Sequence, residues 1–208
     1  CHWWGIYTFK MKFTSKNFYL VGAGGYGKQL KFMLKQDKII SSAKFVDDKL
    51  KFKIKNFYKT NKKIYFNITI ANVKIREGIY NLCKKKNLFY TTLVLPFCNI
   101  YSKKIANGCI IEPNTTIANN VSIGLGNFIL TGAIIGHDTS IGNFCNVGPN
   151  VVISGKVNIG KKVIIGGLSF ISNNLNICSN VIIVPGSVVL NDIKKPGIYN
   201  GNMLIKSF

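Results

Sequence analysis

One histidine stands in the body of this chain, His137, and Asp138 follows it directly. Imidazole is the side chain that gains and loses a proton near neutral pH, which suits it to general acid–base work. A neighbouring carboxylate can fix the ring's tautomer and stabilise the imidazolium that forms when the other nitrogen takes a proton. The pair therefore reads as a proton acceptor with its orienting group. The cysteines suggest no comparable chemistry. They stand at 1, 83, 98, 109, 145 and 178, with no CxxC pair and no close Cys/His cluster to suggest zinc. Cys109 and Cys145 share one position of a repeat described below and read as small buried hydrophobes. Reduced thiols of this kind indicate a cytoplasmic protein.

Two differently written halves must position these residues. The first alternates strand and helix. NFYLV (17–21) reads as a strand, GAGGYGK (22–28) as a glycine-rich turn and QLKFMLKQ as the start of a helix. AKFVDD (43–48) is a second strand ending in Asp47 and Asp48, and KIYFNITIA (63–71) is a third. VKIREGIYNLCKKKN (73–87) reads as a helix, and FYTTLVLP (89–96) as a fourth strand closed by Pro96. This order predicts a small parallel α/β sheet, Rossmann-like in form. Glycine-rich turns after strands are common, so GAGGYGK alone identifies no ligand.

The second half keeps one frame of six. Every sixth residue from Ile105 through Ile135, Ile153 and Ile171 to Val189 is Ile or Val. The next position is often glycine, as at 124, 136, 142, 148, 160 and 166. Four residues after each aliphatic stands a mostly small or β-branched residue, such as Thr115, Ala133, Val151 or Ser187. Such a repeat predicts a parallel β-helix, one short strand and one turn per hexad, with the aliphatics stacked inward. A lone hexad cannot bury its own face, and the run from Ile105 to about Ile193 supplies about five coils. His137 falls at a turn of this frame, not at the inward position, so its ring should project from the coil.

Composition bounds the remainder. With 47% hydrophobic residues among 208, a sizeable core is available and global disorder is excluded. The 28 Lys and Arg against 7 Asp and Glu give a net charge of +21. These cations are spread through both halves, as expected of a chain rich in Lys, Asn and Ile, and they predict no specific nucleic-acid partner. A basic surface would still attract phosphorylated ligands. No stretch approaches the roughly 20 apolar residues of a membrane span. Met11 reads as a start, with residues 1–16 as extension and leader, which leaves His2 outside the functional argument. The expected domains are 17–98 for the α/β half and 99–208 for the β-helix with a short tail.

Taken together, GAGGYGK (22–28), FVDD (45–48), IANVKIR (70–76), TGAIIGHD (131–138), IIGGLSF (164–170), VPGSVVLNDI (184–193) and NGNMLIK (200–206) resemble the hexapeptide-repeat sugar acyltransferases. The branch is that of the sialic acid O-acetyltransferases and bacillosamine-type nucleotide-sugar N-acetyltransferases. The hexad alone is shared by many acyltransferases and some scaffolds, and its union with the N-terminal motifs is more specific. The resemblance implies a left-handed β-helix with three hexads per coil. It also implies a homotrimer, acetyl-CoA as co-substrate and a UDP-, GDP- or dTDP-linked amino sugar as acceptor, in surface polysaccharide or glycan biosynthesis. No metal is needed for such a reaction.

Residue by residue, the resemblance makes His137 the general base and Asp138 its orienting acid. The implied coil size puts Gly155 one coil above His137, where its N–H would hold the thioester oxygen. Gly167 and Pro185, also 18 apart, would line the pantetheine arm with Asn146. Gly24, Gly25, Tyr26, Asp47, Asp48 and Asn72 would face the nucleotide sugar. Several positions depart from the family. Tyr26 and Asn146 stand where histidine is frequent, Leu130 where asparagine is, and the tail reads GNML in place of GNPA. These changes fall mostly on the acceptor side, so N-acetylation of an amino sugar leads, with sugar O-acetylation and a non-catalytic scaffold as alternatives.

Overall fold

The computed structural model describes residues 17–40, 42–49, 53–57, 62–84 and 87–208. Residues 1–16, read above as extension and leader, lie outside the described residues. The chain opens as an α/β unit. Its strands β1 (Phe18–Val21), β2 (Lys44–Val46), β3 (Ile64–Ile68) and β4 (Leu88–Tyr90) form one parallel sheet in the order β2-β1-β3-β4. Helix α1 (Gly25–Gln36) follows β1, the short α2 (Ile54–Phe57) follows β2, and α3 (Val73–Cys83) joins β3 to β4. The glycine motif is thus partly helix. A Cβ at Gly27 would stand 2.2 Å from the Gly22 carbonyl oxygen, so glycine there lets α1 cross close over the end of β1.

From Leu93 the chain winds into a three-sided parallel β-helix. One face stacks Leu93–Val94, Ile110–Ile111, Phe128–Ile129, Asn146–Val147, Ile164–Ile165 and Val181–Ile183, closed by Gly197–Asn200 and the antiparallel strand Met203–Ser207. The second face stacks Asn99–Ile100, Thr116–Ile117, Ile134–Ile135, Val152–Ile153, Phe170–Ile171 and Val188–Val189. The third stacks Lys104–Ile105, Ser122–Ile123, Ser140–Ile141, Asn158–Ile159 and Asn176–Ile177. Residues 18 apart pair directly, as in Ile117 with Ile135 and Ile135 with Ile153. The inward aliphatics are almost wholly buried.

The solenoid starts earlier than the frame from Ile105 suggests, and its second face has six rungs where about five coils are expected. The reason is a short step in the first coil. Ile100 stacks under Ile117, whereas Ile105 stacks under Ile123, so the inward residues are five apart here instead of six. Counting back by six from Ile105 lands on Asn99 and misses Ile100. For the same reason FYTTLVLP is not one strand. Leu88–Tyr90 joins the α/β sheet and Leu93–Val94 is the first rung of the solenoid.

From Gly108 to Gly186 each turn carries one residue in the left-handed region, among them Asn114, Asn120, Asp138, Asn150, Asn174 and Asn180. Asparagine and aspartate tolerate that conformation better than most side chains, which explains the recurrence of Asn in the repeat. The glycines just after the inward aliphatics have another cause. A Cβ at Gly136 would stand 2.5 Å from the Ser154 carbonyl carbon and 2.6 Å from the Gly155 nitrogen, so the coils could not stack. Cys109 and Cys145 are buried in the core as expected, and burial pushes their thiols up to about 11 and about 12.

The two halves share one core. Phe18, Leu20, Leu30 and Leu34 of the α/β unit pack with Leu93, Leu95, Ile110 and Phe128 of the first face. Arg76 of α3 is fully buried in the joint. It donates to the Gly126 and Cys145 carbonyls and to Asn146 Oδ1 on the solenoid, and to the Ile70 and Ala71 carbonyls on its own side. Its guanidinium carbon lies 3.9 Å from the centroid of the Phe128 ring, a cation–π contact shielded from water.

Candidate active site

His137 stands in the turn between the second and third faces, after Ile134–Ile135 and before Ser140–Ile141. Its Nδ1 lies 2.8 Å from Asp138 Oδ2, and the two side chains are 56% and 39% exposed. An ionised carboxylate only accepts, so the contact calls for a proton on Nδ1, and in the neutral ring that leaves the lone pair on Nε2. The other oxygen of Asp138 accepts from Asn120 Nδ2 at 2.6 Å. That amide first, and then the imidazole, hold the Asp138 carboxyl below the usual carboxylate range. Exposed pairs of this kind add little to stability. The geometry suits proton transfer better than it suits holding the fold.

Gly155 lies one coil above, beside the ring. The Lys156 N–H donates to the His137 carbonyl at 2.8 Å, and a Cβ on Gly155 would come within 2.6 Å of His137 Nε2. Only glycine leaves the imidazole that place. The Gly155 N–H meets no acceptor among the described residues. At the neighbouring edge, between the first and second faces, Gly167 packs against Pro149, and its carbonyl accepts the Gly186 N–H at 2.9 Å, with Pro185 in the turn above. The expected stacks, His137 with Gly155 and Gly167 with Pro185, are both present. The two edges bound one face, the second.

The residues expected at the nucleotide sugar divide into two groups. Gly24 and Gly25 open α1, are exposed, and an added Cβ there would meet nothing within 4 Å. Their backbone N–H groups stand at the positive end of a helix, where an anion is favoured. The polar side chains are engaged within the chain. Asp47 accepts from the Ala23 N–H at 2.8 Å and the Lys49 N–H at 3.0 Å, and these bonds hold its carboxyl low. Asp47 thus braces the glycine turn. Asp48 accepts from the Ile54 N–H ahead of α2, and Asn72 caps α3 by accepting from the Lys74 and Ile75 N–H groups.

Two further residues point elsewhere than expected. Tyr26 turns its ring inward, 5.3 Å from the Phe128 centroid, and its hydroxyl is buried beside Glu112 without a well-formed hydrogen bond. It packs the domain joint and does not present its hydroxyl to a ligand. Both ends of the Asn146 amide are engaged, accepting from Arg76 and donating to the Ala71 carbonyl, so it too ties the halves together. Sequence reasoning assigned no task to Arg76 or Asn120. For Asn120 the signal was its spacing, 18 residues before Asp138.

The chain matches no protein-family model. It is 32% identical over 146 residues to the GDP-perosamine N-acetyltransferase of Escherichia coli O157:H7, a match covering 62% of this chain and 66% of that protein. The chain thus resembles the nucleotide-sugar N-acetyltransferases and spans just under two thirds of the length of that relative. Solved structures share the fold. The acetyltransferase domain of PglB from Neisseria gonorrhoeae FA1090 superposes with a TM-score of 0.80 at 19% identity, over 91% of this chain and 98% of that one. PerB from Caulobacter crescentus, solved with CoA and GDP-perosamine, gives 0.77 at 19% identity over 88% and 94%.

Proposed function

We propose that this chain transfers the acetyl group of acetyl-CoA to the amino group of a nucleotide-linked sugar. His137, with Nδ1 held by Asp138 and Nε2 beside Gly155 of the coil above, is the observation that carries the reading. The amine nitrogen attacks the thioester carbonyl carbon while His137 Nε2 accepts the proton. The developing oxyanion is met by the Gly155 N–H. Collapse breaks the carbon–sulfur bond, and the imidazolium returns its proton to the departing CoA sulfur. Support comes from the relatives on this fold, which are named for N-acetylation of GDP-perosamine or were solved with CoA and that sugar.

In this reading the α/β unit that receives the sugar cannot serve the His137 of its own chain. The unit packs on the first face, through Phe128 and Asn146, and on the edge at Gly126 and Lys162. His137 stands on the edge opposite the first face. The second face, which ends at that edge, presents Ile134, Phe170 and Val188 outward, with Leu168 and Leu190 at its margin. A second copy seated there would cover the apolar stripe and bring its own α/β unit beside His137. This supports a homotrimer with acetyl-CoA between neighbours.

The experiment incubates the full chain with acetyl-CoA and a panel of UDP-, GDP- and dTDP-linked amino sugars, reading free thiol release. The expected result is turnover with at least one acceptor, reduced on the order of 10²–10⁴-fold in His137→Ala. Normal turnover by that variant would remove His137 from the reaction.

A further inference from the structure

Below His137 the solenoid carries a column of polar side chains that proton transfer itself does not call for. Lys104, on the lowest rung of the third face, places Nζ 3.0 Å from Asn120 Oδ1. Asn120 Nδ2 in turn donates to Asp138 Oδ1 at 2.6 Å, and Asp138 Oδ2 meets His137 Nδ1 at 2.8 Å. The charges fix which way the amide lies. Reversed, it would set its oxygen against a carboxylate and its NH2 against an ammonium. The backbone keeps the column in register. Asn120 and Asp138 occupy the same left-handed position of successive coils, at φ 56° and 58°, and the Asp138 N–H donates to the Asn119 carbonyl.

We infer that Asn120, anchored by Lys104, is a positioning residue that fixes the Asp138 carboxylate and through it the tautomer of His137. The inference rests on the reading of His137 as the base. The need for such a device follows from exposure. An aspartate beside a histidine at an open turn can rotate away and bond to water, since exposed pairs are weakly held. A free neutral imidazole favours the proton on Nε2, the tautomer in which the catalytic nitrogen has no lone pair to offer. Asn120 occupies one carboxylate oxygen, so the other is kept facing Nδ1. Lys104 keeps the amide from turning. Its own rung lies two coils below the one that follows His137, through the pairs Lys104 with Ser122 and Ser122 with Ser140.

The test uses the full chain labelled with nitrogen-15 in histidine. The sequence holds two histidines, so the spectrum carries two imidazoles, and a His137→Gln sample assigns them. Wild type is expected to show His137 protonated on Nδ1 in its neutral form. Asn120→Gly suits the left-handed backbone and removes only the amide. In that variant the signals should move towards an Nε2–H mixture, and kcat should fall on the order of 10-fold with KM for acetyl-CoA little changed. Lys104→Met should move both in the same direction and Lys104→Arg should restore them. Asn180→Gly, the same backbone change at φ 61° on a different edge, should alter neither. An unchanged tautomer in Asn120→Gly overturns the inference, with or without a loss of rate. Because the tautomer is read without turnover, that result is separate from His137→Ala retaining activity, which would overturn the functional reading instead.

Discussion

Gly155 and Gly136 stand on successive coils of one edge, yet a methyl group added to each meets different matter. At Gly155 the nearest atoms are His137 Nε2 at 2.6 Å and Cε1 at 2.8 Å, the far end of a rotatable side chain. Gly155 does not lie at positive φ, so its backbone accepts alanine and the ring must give way. At Gly136 the nearest atoms are backbone of the coil above, which cannot swing aside. Gly155→Ala is therefore expected to leave the melting temperature within a few degrees of wild type while kcat falls on the order of 10²-fold, the usual penalty for a displaced catalytic group. Gly136→Ala should destabilise by about 1–3 kcal/mol through overpacking. Thermal melts and steady-state rates on the two variants check this, and full activity in Gly155→Ala would show that the ring does not need its present place.

Among the elements, α3 joins the two halves through Arg76 in the interior and through the Glu77–Lys162 ion pair at the margin. Arg76 gives five donor contacts, those to the Gly126 and Cys145 carbonyls buried, with no carboxylate among the acceptors. Arg76→Met keeps an apolar side chain in the joint but loses the guanidinium over Phe128 and abandons the acceptors, so about 3 kcal/mol of stability should be lost. Urea unfolding followed by the aromatic signal of the α/β unit and by the β signal of the solenoid should then separate into two transitions where wild type shows one. Coincident transitions would show that the apolar core alone couples the halves. Arg76 also marks where the sequence stops being readable. Periodicity exposed the hexads and the four α/β strands because burial acts on every second or sixth residue. The strand split at Thr91–Thr92 and the short step between Ile100 and Ile105 follow from pairing partners that no local pattern contains. In the candidate site, the hexad frame placed His137 and Asp138 at a turn, and the coil size implied by the resemblance placed Gly155 one coil above it. Tyr26 and Asn146 were misplaced because contacts between the halves, not the motif around them, decide where their side chains point.

The proposed assembly would set the last condition on the site. If His137 of one copy works with the glycine turn of its neighbour, two chains each inactive alone can restore one another. His137→Ala removes the base and leaves Gly24 and Gly25 intact. Gly25→Trp fills the turn, where the open space around Gly25 lets the fold persist, and leaves His137 intact. In mixed trimers formed from equal amounts, a site is whole only when a Gly25→Trp chain supplies the edge and a His137→Ala chain supplies the turn. Random assembly makes that about one site in four, so activity should recover to about a quarter of wild type, whereas homotrimers of either variant stay inactive. Phe170→Glu places a charge on the apolar second face and should abolish both assembly and recovery, leaving folded single chains in sedimentation. A site contained within one chain gives no recovery at any mixing ratio, and full activity from dissociated Phe170→Glu chains would point to the same conclusion.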